Sequence, residues 1–146
     1  MLRAAKRGEH VLLIAPTGGG KTLAGFLPSL VDLAEKENNK GGLHTLYISP
    51  LKALAIDVRR NLEQPVRELG LDIRIETRTG DTPQHRRQSQ RSNPPQILMT
   101  TPESLALMLS YSDAPSVFRS LKAVIVDELH ALAGTKRGDL LALGLA

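Results

Sequence analysis

Cysteine and tryptophan are absent from these 146 residues, and Phe26, Tyr47, Tyr111 and Phe118 are the only aromatics. Without cysteine there is no disulfide framework, no thiolate zinc site and no thiol nucleophile, a usage compatible with a reducing cytoplasm. So few rings leave the core to Leu, Ile, Val and Ala, and they argue against the stacking platform on which single-strand binding proteins seat bases. Long apolar runs are missing too. The first run after the basic residues 1–7 stops at Ala15 and dissolves into glycines, so it provides neither a secretory h-region nor a membrane span. An acidic excess is also lacking. The 19 Lys and Arg against 15 Asp and Glu leave +4, which suits a polyanionic partner without requiring one. The length is enough for one domain with a proper core and too short for a second.

What is present is a regular alternation. Residues 2–7 read as the last turn of a helix stopped by Gly8, a tail that implies sequence upstream. Residues 10–15 form an apolar run long enough for a buried strand, followed by Gly18-Gly19-Gly20 and a helix with Leu23, Phe26, Leu27, Leu30 and Leu33 at helical spacing. After a polar turn over 35–42, strands are expected at 43–48, 72–77, 97–99 and 121–126. Between them come a helix over 51–69 stopped by Gly70, a basic helix or loop over 84–93, and a helix over about 103–110. The last strand is apolar almost throughout, as in a parallel sheet buried on both faces. Five strands alternating with helices call for an α/β fold, an open parallel sheet with helices on both faces.

In such a sheet ligands bind beyond the carboxyl ends of the strands, and each polar signature here falls at one. The first is Ala15-Pro16-Thr17-Gly18-Gly19-Gly20-Lys21-Thr22. Glycines let a backbone wrap an anion, the following helix starts with unpaired N–H groups, Lys21 would reach β/γ-phosphates and the Thr22 hydroxyl would take Mg²⁺. Ala15 stands where the strict phosphate-loop pattern has glycine. The last signature is Asp127-Glu128. There an aspartate can hold Mg²⁺ through its hydration shell while the adjacent glutamate orients and deprotonates a water. Taken alone, Asp-Glu after a strand is also a common helix start, and His130 a common structural histidine.

Together these pieces resemble the first RecA-like domain of a superfamily 2 helicase, a family of P-loop NTPases. Asp127-Glu128-Leu129-His130 is similar to the DExH box, and the glycine loop to a form of motif I that tolerates alanine at position 15. Ser49-Pro50-Leu51-Lys52-Ala53-Leu54-Ala55 resembles motif Ia, Thr77-Arg78-Thr79-Gly80-Asp81 the next DNA-contact motif, and Thr100-Thr101-Pro102-Glu103-Ser104-Leu105 motif Ib. The last of these, with Gly134-Thr135-Lys136-Arg137-Gly138, is similar to the large helicase-related group, Lhr. Arg78 to Thr82 and Leu109 to Ala114 lean toward its ligase-associated bacterial DEXH-box branch.

The resemblance implies that residues 15–22, Asp127, Glu128 and His130 bind ATP, with Thr22 and Asp127 serving Mg²⁺. Lys21, Asp127 and Glu128 would be catalytic, Glu128 as the general base, and His130 would couple the site to a partner domain. Ser49, Pro50, Lys52, Thr79, Gly80, Asp81, Thr101, Pro102 and Glu103 would follow a single DNA strand, with RNA a second candidate. It also implies a cytoplasmic 3′→5′ translocase in DNA repair, working with a ligase or nuclease. Residues 1–146 would be a partial first RecA-like domain lacking the Ser-Ala-Thr motif, the adenine-recognition element and the second domain with its arginine finger. Such a piece alone should bind nucleotide weakly and unwind nothing. Plainer readings stay open for single residues: Thr101-Pro102-Glu103 as a helix start, Lys52 as a solvated helix residue, and Lys136-Arg137 as a DNA contact, a cap or a docking pair. Arg86, Arg87 and Arg91 read as a solvated face rather than a DNA track. For the whole, the competing functions are a nucleotide-gated binding module without productive hydrolysis and a P-loop kinase.

Overall fold

The computed structural model describes residues 2–14, 20–35 and 41–146, which fall into two compact units, Met1–Asn39 and Lys40–Ala146. Ala15, Pro16, Thr17, Gly18 and Gly19 of the expected phosphate loop lie outside the described residues.

In the first unit α1 (Leu2–Lys6) ends as the sequence suggests. Gly8 takes φ 73°, its N–H reaches Ala5 O and that of Glu9 reaches Ala4 O, the paired bonds that satisfy the last carbonyls of a helix. α2 (Lys21–Glu35) follows Gly20 and buries Phe26, Ser29, Leu30 and Leu33 on one face. The expected first strand is not found: residues 10–14 are irregular, with Leu12 73% and Ile14 84% exposed. An apolar run has the composition of a strand, but it becomes one only where a neighbouring edge takes up its N–H and C=O groups.

The second unit holds a four-stranded, fully parallel sheet in the order β2-β3-β1-β4. The strands are β1 (Thr45–Ile48), β2 (Ile75–Arg78), β3 (Ile97–Thr100) and β4 (Ala123–Val126). Central β1 and β3 are buried at every residue. Side chains alternate across a strand. One face accordingly packs Leu46, Ile48 and Leu98 against α5 (Pro102–Leu109), α6 (Ala114–Val117), α7 (Leu129–Leu132) and α8 (Lys136–Leu145). α3 (Lys52–Glu68) contributes nothing to that cluster and packs against β2 and β3 through a buried row of Ala55, Val58, Leu62 and Val66. It ends at Gly70 with the same paired bonds as α1, Gly70 N–H to Arg67 O and Leu71 N–H to Val66 O. The basic stretch is a helix, α4 (Gln84–Ser92).

Two strand expectations need correction. β2 starts three residues later than its apolar alternation suggests, because the N–H of Arg74 is taken by the Gln96 side chain and that of Ile73 by Leu71 O. β4 is not buried on both faces; it is an edge strand with Val124 41% exposed. A continuous apolar run does not distinguish an edge from a centre.

Candidate nucleotide and nucleic-acid site

Parallel strands all finish on one side, so Ser49, Thr79, Thr101 and Asp127, each next after its strand, share the carboxyl edge of the sheet. The final ladder bonds join them: Ser49 N–H to Thr100 O at 3.0 Å and Asp127 N–H to Ile48 O at 2.9 Å.

Both oxygens of Asp127 are engaged. Oδ1 accepts the Glu128 N–H at 2.8 Å and Oδ2 the phenol of Tyr47 at 2.6 Å. Tyr47 is almost fully buried, and burial followed by the bond to Asp127 pushes its pKa far above the usual phenol range. The ring therefore stays protonated and fixes the carboxylate. Glu128 is the one non-glycine residue at positive φ among the described residues (φ 48°, ψ 42°). That left-handed conformation costs on the order of 1–3 kcal/mol and turns the chain sharply from β4 into α7. Its Oε2 lies 3.2 Å from Nε2 of His130, whose side chain is 80% exposed. Lys21 and Thr22 occupy the first turn of α2 in the other unit.

Of the residues expected along a nucleic-acid strand, Ser49, Pro50, Thr79, Thr101 and Pro102 are buried, whereas Lys52, Gly80, Asp81 and Glu103 are exposed. Lys52 Nζ pairs with Asp81 Oδ2 at 2.8 Å. Pro102 opens α5, its missing N–H harmless there, and Thr101 bonds the Ser104 hydroxyl instead of capping a backbone N–H. Lys52, Arg78, Thr79, Gly80, Thr101 and Glu103 are among the residues lining a cleft of about 350 Å³ along this edge.

Sequence reasoning missed the braces. Arg87 is no solvated residue: its guanidinium donates to the carbonyls of Thr79, Gly80 and Thr82 and holds the loop after β2. Arg91 pairs with Asp113 at 2.8 Å and lies 4.3 Å from the Tyr111 ring centre, so of the three arginines Arg86 alone matches the expected exposed face. Arg137 donates to both Glu103 oxygens and to Pro50 O, and its bond keeps the Glu103 carboxyl below the usual range. It is positioned by Thr135, which accepts the Gly138 N–H at 3.1 Å and donates to Leu132 O at 2.7 Å. Charge runs announce none of this, since Arg87 is claimed by carbonyls of the preceding loop and Arg91 and Arg137 by carboxylates on other elements. Tyr47 had one signal, its rarity as an aromatic in a strand.

A parallel α/β sheet with its polar signatures on the carboxyl edge, ending in an Asp-Glu pair after an apolar strand, defines the motor-domain class of RecA-like helicases. The chain belongs to the DEAD/DEAH box helicase family, whose profile matches residues 1–146. A Lhr helicase/probable uracil glycosylase of Mycolicibacterium smegmatis is 48% identical over 97% of this chain and 10% of its own length. The ATP-dependent helicase Lhr-Core protein 2 of Thermococcus barophilus is 45% identical over 95% of this chain and 18% of its own length. The solved structure of the Mycobacterium smegmatis helicase Lhr bound to ssDNA and AMP-PNP superimposes with a TM-score of 0.86 at 48% identity, covering 98% of this chain and 19% of that one. The chain thus spans between a tenth and a fifth of these relatives. The resemblance to the Lhr group holds.

Proposed function

We propose that residues 1–146 are part of the first RecA-like domain of an ATP-dependent DNA helicase of the Lhr group, a cytoplasmic 3′→5′ single-strand translocase serving DNA repair. The observation that carries the reading is the Asp127-Glu128 corner, where one carboxylate is fixed by a buried phenol and a backbone N–H and the next is turned out by a strained backbone. Enzymes keep such strain where it serves chemistry. Relatives named as ATP-dependent helicases supply the nucleotide, and the ssDNA and AMP-PNP bound to the M. smegmatis Lhr structure support the same two ligands here.

The donor set fits a Mg²⁺ held with nucleotide. Mg²⁺ keeps several of its waters and leans on one or two carboxylates plus phosphates, a demand that a single aspartate beside a nucleotide meets. A carboxylate has about four acceptor positions, and Asp127 uses two. Asp127, with the Thr22 hydroxyl, would hold the ion, which would neutralise charge on the phosphates. Lys21 would bind the β/γ-phosphates and residues 15–20 would wrap them with backbone N–H groups. Glu128 would accept the proton of the attacking water at its carboxylate, and His130 beside it would relay the state of the site to a second domain. At the strand edge, Lys52, Gly80, Asp81 and Glu103 would meet sugar and phosphate and leave bases unread, as a motor that grips any sequence requires. RNA is a second candidate strand, and a ligase or nuclease the working partner.

Mg-ATP hydrolysis by a chain extended through the second RecA-like domain, with and without single-stranded DNA, tests the reading. DNA should stimulate turnover, and Glu128→Gln should abolish it, by at least ~100-fold, while nucleotide binding persists. A wild type that binds ATP and DNA yet never turns over would leave a nucleotide-gated binding module in its place.

A further inference from the structure

Beside the strand edge lies a second cleft, of about 300 Å³, lined by Arg78, Gln84, Arg87, Gln88, Arg91 and Tyr111. Its walls carry three guanidinium groups and no carboxylate. Arg78 is 2% exposed at the end of β2; Nη1 donates to Arg87 O at 3.1 Å, and Nη2 is buried with no hydrogen-bond partner among the described residues. Arg87 is committed to loop carbonyls, which leave its charge uncompensated. Arg91 shares Asp113, and the Tyr111 ring lies between Arg91 at 4.3 Å and Arg78 at 5.8 Å. Glu76, two residues before Arg78 on β2, accepts from the neutral amide of Gln90, and Asp81 is paired with Lys52. Asp113 and Glu76 therefore stand as two carboxylates against three cations. A buried guanidinium does not give up its proton and is costly unless paired, so with Asp113 already engaged by Arg91 this hollow keeps a net positive field.

The missing anion has a shape. Guanidinium forks match the oxygens of a phosphate, and the two glutamine amides on the exposed side of α4 add neutral donors around the same space. The cleft also shares Arg78 and Arg87 with the one that holds Lys52 and Thr101. We propose that the α4 cleft is a second phosphate site, in which Arg91, Gln84 and Gln88 at the rim take a backbone phosphate of the strand that crosses the Lys52 cleft, over the buried charge of Arg78. This rests on the nucleic-acid reading above. It makes α4 part of the grip, so that the strand is held at two separated points of one rigid sheet.

Fluorescence anisotropy of a labelled dodecathymidylate on the chain extended through the second RecA-like domain, over a salt series, provides the test. Gln88→Glu and Gln84→Glu put a carboxylate into the cleft from exposed helix positions and should leave the fold intact by circular dichroism. Each should weaken binding about fivefold to tenfold at low salt and flatten the salt slope by about 0.7, the share of one single-strand phosphate. Inorganic phosphate should shift the Arg91 Nε–Hε resonance in the wild type, with less effect in Gln88→Glu. If Lys52→Ala weakens binding while both glutamate variants bind like wild type, the α4 site falls and the strand reading stands. If the wild type binds no oligonucleotide at any salt, the strand reading falls and takes the proposal with it. A phosphate-induced shift with unchanged oligonucleotide affinity in Gln88→Glu would mark a site for free phosphate and overturn the assignment to a strand.

Discussion

Replacing Tyr47 by Phe removes one oxygen and leaves the packing of the ring, so it isolates the 2.6 Å bond to Asp127. A hydrogen bond to a charged group contributes about 1.5–3 kcal/mol. Asp127 is half-buried and keeps the Glu128 N–H, which places the loss near the lower end. With a urea slope of about 1–3 kcal/mol per molar, the unfolding midpoint should fall by roughly 0.5–1.5 M at pH 7. The pH dependence is the sharper part. The folded phenol titrates far above the unfolded one, which loses its proton near pH 10. Above that pH the unfolded chain has released a proton that the folded chain retains, so wild-type stability falls by about 1.4 kcal/mol per pH unit; below it the contribution is fully present. The variant lacks this phenol. The gap between the two should be constant from pH 7 to 9 and close by about pH 11. Equal stability at pH 7, or a gap unchanged through pH 11, would refute the assigned role of Tyr47.

At Gly138, a Cβ would stand 2.1 Å from Leu132 O, a backbone atom. Gly138→Ala should therefore cost about 1–3 kcal/mol, read as a lower thermal midpoint, despite the ~1 kcal/mol that alanine gains in a helix. Gly144→Ala meets only the end of the Leu109 side chain and should be close to neutral, which controls for helix propensity. Arg137→Ala should cost no more than about 1 kcal/mol, because Glu103 is half-exposed. Because Arg137 depresses the Glu103 carboxyl, this contribution is present above the ordinary carboxylate range and lost as pH falls through the folded pKa. Unfolding curves for wild type and variant should then converge on acidification.

α1, α3 and α5 were legible because their boundaries are local, whereas α6, α7 and α8 were not expected. Gly8 and Gly70 close their helices through bonds to residues three to five positions back, and Pro102 opens α5 by what it lacks. The buried row of α3, Ala55, Val58, Leu62 and Val66, recurs at helical spacing, while Leu51 and Leu69 lie exposed beyond the helix ends. What escaped was set by partners outside the element concerned. Residues 72–74 alternate like a strand, but the Gln96 side chain takes the Arg74 N–H. Arg87 and Arg91 belong to a polar, charged stretch, yet carbonyls of the preceding loop and Asp113 claim them. At the site, the identities of Asp127 and Glu128 could be read; the phenol that fixes one and the backbone that strains the other could not. The ligase-associated branch still rests on two short stretches.

The left-handed turn at Glu128 sets chemistry and yield against each other. Glycine or asparagine would sit at φ 48° with less cost than glutamate, and either would delete the carboxylate assigned to the water. A screen scored on soluble protein alone would therefore rank glycine or asparagine at this position above glutamate. Under the role proposed for Glu128, laboratory drift without selection for turnover would act first at this one left-handed non-glycine residue among those described, leaving a protein that folds better than its ancestor and turns over nothing.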